Sequence, residues 1–426
     1  MNPISELFPS LSFNAWAAEL VRRNFPSERA IDIYALCEAM MASDGEYSSL
    51  LLAQEILQEY SRLDAAGRIA FFFKLDSDYD VDIEVLIKAT RDYKNSPTFE
   101  SLNHLTKSSE PKRQELLRRL NMPDGVTPQL VKMREDLLAL SRTHPELAKI
   151  DADFRHLFRA WFNRGFLYMR PLDWSSPANI LEKIVSYEAV HAISNMEELR
   201  ARVAPRDRLC YAFFHPAMEG EPLVFIEVAL TKNLSNNIAE ILDPRHEDIN
   251  PEEANHAIFY SISNCHQGLA GVSFGNLLIK QMVALLVVKF PNIKTYATLS
   301  PAPGFSKWLK NSERPDLSIS LAANENTQNA LLVENSELLK SAAEYFLHAK
   351  NERGKPLDPV ARFHLNNGAE LARLNLHADS SEKGEKQSMG LMVNYIYSLK
   401  NITDNHERYV GEGEIACAKS ISNLLK

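Results

Sequence analysis

The stretch from Ala257 to Lys289 decides the fold of the second half of the chain. It begins with the apolar run Ala257-Ile-Phe-Tyr-Ser-Ile-Ser263, which predicts a strand, and continues through Gln267-Gly-Leu-Ala-Gly-Val-Ser-Phe-Gly275. The amphipathic pattern from Asn276 to Lys289 then predicts a helix. A strand, a glycine-bearing loop and a helix start present free backbone N–H groups and the positive end of a helix dipole, and both favour an anion such as a phosphate.

The charge distribution around this stretch supports an anionic ligand. The chain has a formal net charge of -9, yet the segment from Ala254 to Ser312 contains no Asp or Glu. Five lysines lie in that segment, at positions Lys280, Lys289, Lys294, Lys307 and Lys310. A local basic excess in an acidic protein indicates one anionic ligand and argues against a nucleic-acid or anionic-membrane partner.

Length and periodicity predict two domains in the α+β class. A chain of 426 residues exceeds what one hydrophobic core usually covers. Up to about residue 160, apolar residues recur at three- and four-residue spacings, which predicts an all-α helical bundle over 1–160. From 161 to 426, strand and helix patterns alternate, which predicts a mixed α/β domain. The predicted helices of the first half are Ile31 to Ala42, Leu50 to Tyr60, Val81 to Tyr93, Gln114 to Leu120 and Gln129 to Arg142.

The second half combines several predicted strands with two main helices. The predicted strands are Arg208 to Phe214, Leu223 to Leu230, Ala257 to Ser263, Ile293 to Ser300 and Gly390 to Leu399, and the predicted helices are Asn276 to Lys289 and Pro359 to Leu371. The polar segment from Asn311 to Lys355 is expected to be a surface insertion with a helix at Ser336 to Lys350.

Cysteine spacing and the chain termini favour a cytoplasmic protein without a metal site. The four cysteines, Cys37, Cys210, Cys265 and Cys417, form no Cys-x-x-Cys pair, so we expect reduced thiols. The first residues carry no basic leader pattern. The longest fully apolar run, Met282 to Val288, is too short to span a bilayer.

The loop and long helix resemble the coenzyme A pyrophosphate site of the GNAT acetyltransferase fold. The glycines Gly268, Gly271 and Gly275 depart from the usual Gln/Arg-x-x-Gly-x-Gly/Ala spacing of that site. The alternative interpretation is a plain turn before a core helix.

A wider set of blocks resembles the malonyl-CoA decarboxylase family over nearly all of the chain from about residue 160, and more loosely over the helical half. The blocks are Phe162-Asn-Arg-Gly-Phe-Leu, Trp174, Pro177-Ala-Asn-Ile-Leu-Glu-Lys-Ile, Glu188-Ala-Val-His191, Gly220-Glu-Pro-Leu-Val, Val228-Ala-Leu-Thr231, Phe259-Tyr-Ser-Ile-Ser263, Gln267-Gly-Leu, Leu299-Ser-Pro-Ala-Pro-Gly-Phe-Ser-Lys-Trp308, Asp358-Pro-Val-Ala-Arg-Phe-His-Leu-Asn-Asn-Gly-Ala369 and Gly390-Leu-Met-Val-Asn-Tyr-Ile-Tyr397.

This resemblance implies a fold and an activity. The family joins a helical domain to a GNAT-like (acyl-CoA N-acyltransferase-like) catalytic domain, forms homo-oligomers, expected here to be dimers or tetramers, and serves fatty acid metabolism. Its members are carboxy-lyases that convert malonyl-CoA to acetyl-CoA and carbon dioxide without a metal or prosthetic group, so the coenzyme A thioester is the substrate and no cofactor is expected. The substrate-binding residues predicted from the glycine-bearing loop and the helix start are Ala270, Gly271, Val272, Ser273, Phe274, Gly275, Asn276, Ile279 and Lys280. Tyr397 is predicted as an additional contact to the acyl group.

The chemistry of decarboxylation assigns roles to these positions. Loss of carbon dioxide from a malonyl thioester leaves an enolate, which requires a donor at the thioester oxygen and a proton source near the new methyl carbon. By fold analogy, backbone N–H groups near Ser263 and Asn264 supply the donor. The resemblance implies a catalytic dyad of Ser300 and His364. His364 is the expected proton donor, with an ordinary pKa near ~6.5, and Ser300 is expected to hold the malonyl carboxylate and relay a proton.

Structural interpretations of the same residues stay open at the sequence level. A serine before Pro301 is often a turn residue, and His364 lies one turn into a helix that Asp358 can cap and Pro359 can start, where a histidine often only packs. Tyr395 and Tyr397 are expected to divide between core and surface. The lysines Lys280 and Lys289 are also compatible with a solvated helix face.

Two other functional classes stay open as well. An N-acetyltransferase on the same fold would use acetyl-CoA and would need a carboxylate or a water chain to deprotonate an amine, and the segment from Ala254 to Ser312 offers no carboxylate. A scaffold protein with a vestigial acyl-CoA site would have no need of Ser300 and His364.

Overall fold

The computed structural model describes residues 32–272, 277–312 and 328–426. The chain divides into two compact units. The helical unit comprises the chain up to Phe166 together with Pro216–Glu219 and His266–Ser273, and the sheet unit comprises Leu167–His215, Gly220–Cys265 and Phe274–Lys426. Helices and strands are numbered below in chain order over the described residues.

The helical unit is built from eight α-helices within residues 32–166. They are α1 (Ile33–Ala42), α2 (Glu46–Arg62), α3 (Ala65–Asp78), α4 (Ile83–Asn95), α5 (Phe99–Ser108), α6 (Lys112–Leu120), α7 (Thr127–Leu140) and α8 (Ala148–Trp161). Three of them begin at an aspartate whose carboxylate accepts a backbone N–H of the first turn, namely Asp32, Asp64 and Asp82. The all-α prediction for this part of the chain is confirmed.

The predicted apolar spacing places the core of the helical unit. Leu130, Met133 and Leu137 lie on one face of α7 and are fully buried. The helices α3, α5 and α8 were missed by the periodicity argument. Helix α5 shows the reason most clearly, because it buries no residue, so no apolar face distinguishes it from a polar connection.

The sheet unit contains one sheet of eight strands. They are β1 (Tyr168–Leu172), β2 (Arg208–Phe214), β3 (Pro222–Thr231), β4 (His256–Asn264), β5 (Thr295–Thr298), β6 (Ser300–Pro301), β7 (Glu370–Asn375) and β8 (Met392–Ile396). The spatial order is β1-β2-β3-β4-β5-β8-β6, and β7 also pairs with β8. All pairings are antiparallel except β4 with β5, which are parallel.

Helices flank this sheet within the sheet unit. They are α9 (Ala178–Tyr187), α10 (Met196–Val203), α11 (Ile238–Leu242), α12 (Leu277–Lys289), α13 (Phe305–Lys310), α14 (Gln328–Leu347), α15 (Pro359–Asn366), α16 (Glu382–Ser388), α17 (Ile402–Glu412) and α18 (Lys419–Ser422). The α+β prediction is therefore confirmed, since a helical half precedes a mixed sheet with helices. Among the described residues, no helix is long and apolar enough to cross a membrane.

Two sequence expectations about the second half are wrong. The helix predicted from Pro359 to Leu371 ends at Asn366, because Gly368 adopts a φ of +82° and the chain then enters β7. The segment from Asn311 to Lys355 is not simply a surface insertion, since Leu338 and Tyr345 on α14 are buried. Residues 313–327 of that segment lie outside the described residues.

Strands β4 and β5 separate in the middle of the sheet. Their parallel pairing extends only from His256 to Phe259 on β4, whereas β4 continues to Asn264 against β3. Tyr260 is an extra residue in the pairing with β3, because Glu227 pairs with Ser261 and Val228 pairs with Phe259. The strands part earlier than the expected position near Ser263 and Asn264.

Candidate active site

Two different elements of the sheet unit bring Ser300 and His364 together. Ser300 follows the end of β5 and begins the short strand β6, and His364 lies on α15. Asp358 caps α15 by accepting the Ala361 N–H at 2.8 Å, and Pro359 occupies the first turn, as the sequence predicts. Both site residues are buried.

The two side chains are in direct contact. Ser300 Oγ lies 3.0 Å from His364 Nε2, and His364 Nδ1 lies 2.7 Å from the Tyr397 hydroxyl. The chain of contacts therefore joins three of the predicted site residues. Neither Ser300 nor His364 is the isolated turn or packing residue that the structural interpretation would require.

Burial sets the protonation state of His364. Removal of the ring from water lowers the pKa of His364 to about 3, so the imidazole is neutral at neutral pH. The ordinary pKa near ~6.5 expected from the sequence is wrong for this structure, because desolvation disfavours the charged ring. Burial also raises the pKa of the Tyr397 hydroxyl well above its usual value, so that group keeps its proton.

Tyr395 and Tyr397 do not divide between core and surface. Both are buried, and both contact the His364 ring, with Tyr395 stacked on it at a centroid distance of 4.6 Å. Residues two apart along an extended chain point to the same face, so the expectation of alternate faces misapplied the strand period. The rings of the two tyrosines pack against the His364 ring and contribute to its burial.

Thr298 is a member of the contact chain that the sequence argument missed. Ser300 Oγ donates to Thr298 Oγ1 at 2.9 Å, and the Tyr395 backbone N–H donates to the same oxygen at 3.2 Å. With the Ser300 hydrogen directed at Thr298, the bond to His364 must come from Nε2–H, and the neutral ring accepts at Nδ1 from Tyr397. The spacing Thr298-Leu-Ser300, two residues apart on one face, was the signal available in the sequence.

A side chain of the helical unit holds the main chain of the glycine segment, which belongs to the same unit. Arg134 on α7 donates to the carbonyl oxygen of Gly268 at 2.6 Å and to that of Ala270 at 2.8 Å. A Cβ on Gly268 would lie 2.0 Å from the carbonyl oxygen of Val131, so this position requires glycine for close approach to α7. Gly271 adopts a φ of +73°.

The remaining predicted substrate-binding residues fall into three groups. Ala270 and Gly271 are exposed, Val272 and Ile279 are buried, and Lys280 is half-buried. The predicted residues Ser273, Phe274, Gly275 and Asn276 lie outside the described residues. The N–H groups of Ala270 and Val272 donate to the main-chain oxygens of Gln267 and Leu269, so the exposed Gly271 is the candidate main-chain contact for a ligand. The Ile279 side chain belongs to the core.

Comparison with known proteins assigns the chain to a family. The family model described as the malonyl-CoA decarboxylase C-terminal domain matches residues 165–426, and the model of the N-terminal domain matches residues 79–162. The mitochondrial malonyl-CoA decarboxylase of Mus musculus is 33% identical over 447 aligned residues, which cover 96% of this chain and 90% of that protein. The chain belongs to the malonyl-CoA decarboxylase family.

Solved structures of malonyl-CoA decarboxylases agree with this assignment. The crystal structure from Rhodopseudomonas palustris is 46% identical, covers 92% of this chain and 98% of its own, and has a TM-score of 0.88. The crystal structure from Agrobacterium vitis is 44% identical, covers 93% of this chain and 100% of its own, and has the same TM-score of 0.88.

Two buried carboxylates lie beside β4 in this member of the malonyl-CoA decarboxylase family. Glu188 accepts the Ser261 hydroxyl at 2.7 Å and the His191 N–H at 2.8 Å. Burial raises the pKa of Glu227 to about 8, and Arg202 contacts it at 3.1 Å. The absence of acid from 254–312 therefore did not mean an absence of carboxylates near the strand, because residues distant in sequence supply them. Protein donors engage both oxygens of Glu188 and Oε2 of Glu227, whereas Glu227 Oε1 has no hydrogen-bond partner among the described residues.

One group of side chains within the described residues has ligand atoms close enough for a metal ion. It consists of Asp207, His246 and Asp248, and its atoms lie within 4.8 Å of one another. Asp207 already contacts the Arg208 guanidinium at 3.0 Å and His246 Nε2 at 3.2 Å. These contacts within the protein account for the group, which therefore serves a structural role in this family member.

Proposed function

We propose that this chain converts malonyl-CoA to acetyl-CoA and carbon dioxide and that Ser300 and His364 carry the proton transfer. The observation that supports this most directly is the contact chain from Thr298 through Ser300 and His364 to Tyr397. In a member of the malonyl-CoA decarboxylase family, these contacts place an exchangeable proton and a hydroxyl side by side in a buried position.

The reaction breaks one carbon–carbon bond and forms one carbon–hydrogen bond. When carbon dioxide leaves, the electron pair of the broken bond passes to the α-carbon and the thioester oxygen as an enolate. Backbone N–H groups where β4 parts from β5, after Phe259, are the candidate donors to that oxygen. His364 then gives its Nε2 proton, directly or through Ser300, to the α-carbon, which becomes the methyl group of acetyl-CoA.

The low pKa of His364 fits this cycle. The buried ring is neutral, because an unpaired buried cation is unfavourable. A malonyl carboxylate at Ser300 would place a negative charge beside the ring and raise the pKa of His364, so substrate binding is accompanied by proton uptake. The imidazolium then faces first a carboxylate and next an enolate. After it gives up the proton, a neutral ring faces a neutral product.

Tyr397 is suited to both states of the ring. Its hydroxyl donates to Nδ1 of the neutral imidazole and can accept from Nδ1–H of the imidazolium after a rotation of the O–H bond. Tyr397 therefore acts on the acyl site through His364, which refines the expected direct contact to the acyl group.

The N-acetyltransferase alternative finds less support. An amine acceptor would need a free carboxylate or a water chain near the thioester. Glu188 is engaged by Ser261, Ser263 and backbone N–H groups, and Glu227 is paired with Arg202. Each of these carboxylates serves the structure around β4.

Turnover in deuterium oxide tests the proposal. Purified protein given malonyl-CoA should release carbon dioxide and yield acetyl-CoA with deuterium in the methyl group, with no amine added. An acetyltransferase would consume acetyl-CoA only when an amine is supplied, release free coenzyme A and leave the methyl group unlabelled. That second pattern, without carbon dioxide from malonyl-CoA, would contradict the proposal.

We also propose that the helical unit forms a homo-oligomer through α4 and α5. These helices expose apolar side chains, including Ile83 at 65% and Phe99 at 78% exposure, and neighbouring Val85, Ile87 and Leu102. Light scattering at micromolar concentration should show a dimer or tetramer, and Phe99→Glu should lower the mass. A monomer in the wild-type protein would refute this part of the proposal. Cytoplasmic location is also proposed, to be checked by cell fractionation.

A further inference from the structure

The buried guanidinium of Arg134 has an unusual set of partners. Arg134 is 1% exposed and lies on α7 of the helical unit. Its Nε contacts Asp151 at 2.9 Å, and its two terminal nitrogens donate to the main-chain oxygens of Gly268 and Ala270. Each of its three guanidinium nitrogens thus donates within the helical unit, and its burial leaves Arg134 no access to a ligand phosphate.

The two carbonyl groups that it binds belong to residues 266–272, which are called the glycine loop below. Carbonyl oxygens that point toward Arg134 are turned away from an anion. The N–H groups of Leu269, Ala270 and Val272 donate to main-chain oxygens of the same loop, which leaves the Gly271 N–H as the candidate donor to an anion. Gly268 contacts the main chain of Val131 so closely that no side chain fits, and Gly271 lies in the left-handed region with φ +73°. The segment is therefore fixed from the α7 side, and Ala270 and Gly271 stay exposed on the other.

We infer that Arg134 is a positioning residue for coenzyme A binding, through which the helical unit holds the phosphate-binding loop in its binding-competent shape. This inference rests on the proposed function and deepens it, because it gives the helical unit a role in substrate binding in addition to association. Arg134 acts through the main chain of Gly268 and Ala270, and the N–H group of Gly271 in the same loop is the group expected to face the phosphates.

Arg134→Lys is the variant that tests the inference. It keeps the charge beside Asp151 but replaces a planar fork with a single ammonium group that cannot hold both carbonyl oxygens. The dissociation constant of coenzyme A, measured by titration calorimetry, should rise about tenfold, since a loop that samples other shapes binds in proportion to its competent fraction. With malonyl-CoA, KM should rise by a similar factor while kcat falls less than twofold or so.

Arg113→Lys is the matched control. Arg113 is also buried in the helical unit, 3% exposed, and is paired with Asp153 and Asp80, far in sequence from the loop. Both variants lose a buried guanidinium, so a general loss of stability should affect both. The coenzyme A dissociation constant of Arg113→Lys should stay within about twofold of wild type.

Hydrogen exchange provides a readout that does not depend on activity. Amides of 266–272 should exchange faster in Arg134→Lys than in wild type or Arg113→Lys, with no ligand present. If Arg134→Lys does not fold, Asp151→Asn loosens Arg134 more mildly and should raise the dissociation constant about threefold.

The outcomes separate this inference from the proposed function. A wild-type protein that neither binds coenzyme A nor releases carbon dioxide refutes the proposed function. Normal coenzyme A affinity and normal loop exchange in Arg134→Lys refute the positioning role alone. An equal loss of affinity in Arg113→Lys also overturns it, because the effect would then be one of general stability.

Discussion

The dyad region and the glycine loop are stabilised in opposite ways. At the dyad, side chains bind one another, with Ser300, His364 and Tyr397 in one directed chain of hydrogen bonds. At the loop, the main chain is held, since Arg134 binds two carbonyl oxygens and Gly268 contacts α7 through bare backbone. Side-chain chemistry defines the first region, and backbone shape defines the second.

This difference predicts how each region responds to change. Removal of a dyad side chain deletes a reacting or orienting group and should lower turnover. A change in the loop or its supports alters the population of a shape and should weaken binding, with a smaller effect on the chemical step. Experiments that divide effects between kcat and KM therefore test the comparison directly.

The largest effect is expected at the dyad. His364→Asn or Ser300→Ala should lower kcat by about 10²-fold or more, because a positioned proton donor contributes that much to such a step. Coenzyme A affinity should change little. His104→Asn, at an exposed histidine on α5, is the control and should be indistinguishable from wild type. Near-normal turnover in both dyad variants would remove these residues from the mechanism.

The second effect concerns stability and pH. The pKa of His364 is about 3 in the folded protein, below its ordinary value of about 6.5, so the unfolded chain binds the extra proton first as the pH falls. Stability that depends on the neutral ring is complete above pH 6.5 or so and is lost progressively down to about pH 3. When the pH falls from 7 to 5, this one group should lower the free energy of unfolding of wild type by about 2 kcal/mol.

Urea unfolding of wild type and His364→Asn at both pH values measures this contribution. The difference in unfolding free energy between wild type and His364→Asn should be about 2 kcal/mol smaller at pH 5 than at pH 7. The unfolding free energy of His104→Asn should change with pH as that of wild type does. Parallel pH dependence in all three proteins would show that His364 is not buried as a neutral ring.

The sequence predicted the strands of the sheet better than their connections. Strands β2, β3 and β4 match the predicted runs within one residue at each end, because each is a predominantly apolar run bounded by turn residues. The strands β1 and β7 were missed. β7 has a mixed pattern of buried and half-buried residues, and the helical pattern of α15 was extended into it past the turn at Gly368.

The sequence predicted the dyad through family resemblance. Contacts between residues distant in sequence could be found only in the three-dimensional structure. Nothing in the periodicity of residues 130–140 indicates that Arg134 binds a loop more than 130 positions later. Glu188 likewise reaches Ser261 from 73 residues away. Contacts of this kind depend on tertiary packing, which local patterns do not encode.

The third effect concerns Thr298, which accepts the hydrogen of the Ser300 hydroxyl. Thr298→Val keeps the shape but removes the oxygen that accepts the Ser300 hydrogen, so kcat should fall about tenfold, as expected for the loss of one orienting hydrogen bond. Thr298→Ser should restore most of the activity. The ¹⁵N shifts of the His364 ring should show the Nε2–H tautomer in wild type and a mixture in Thr298→Val. If Thr298→Val keeps the wild-type tautomer and rate, Thr298 does not orient Ser300. Thr295→Val on the same strand is the control.

The smallest effect should come from Lys280, at the start of α12 beyond the loop. Lys280 is half-buried and lies in the acid-free segment, so its charge should favour the phosphates of coenzyme A. Lys280→Glu should raise KM about three- to tenfold and lower kcat less, and the effect should shrink as salt is added, because exposed charges are screened. Lys289→Glu is the matched reversal on the same helix, since Lys289 contacts the Tyr211 hydroxyl at 3.2 Å and is expected to serve structure. If the two reversals raise KM equally, the response reflects the overall field of the protein. If neither reversal changes KM, the phosphates bind elsewhere, and the glycine loop does not take part in coenzyme A binding.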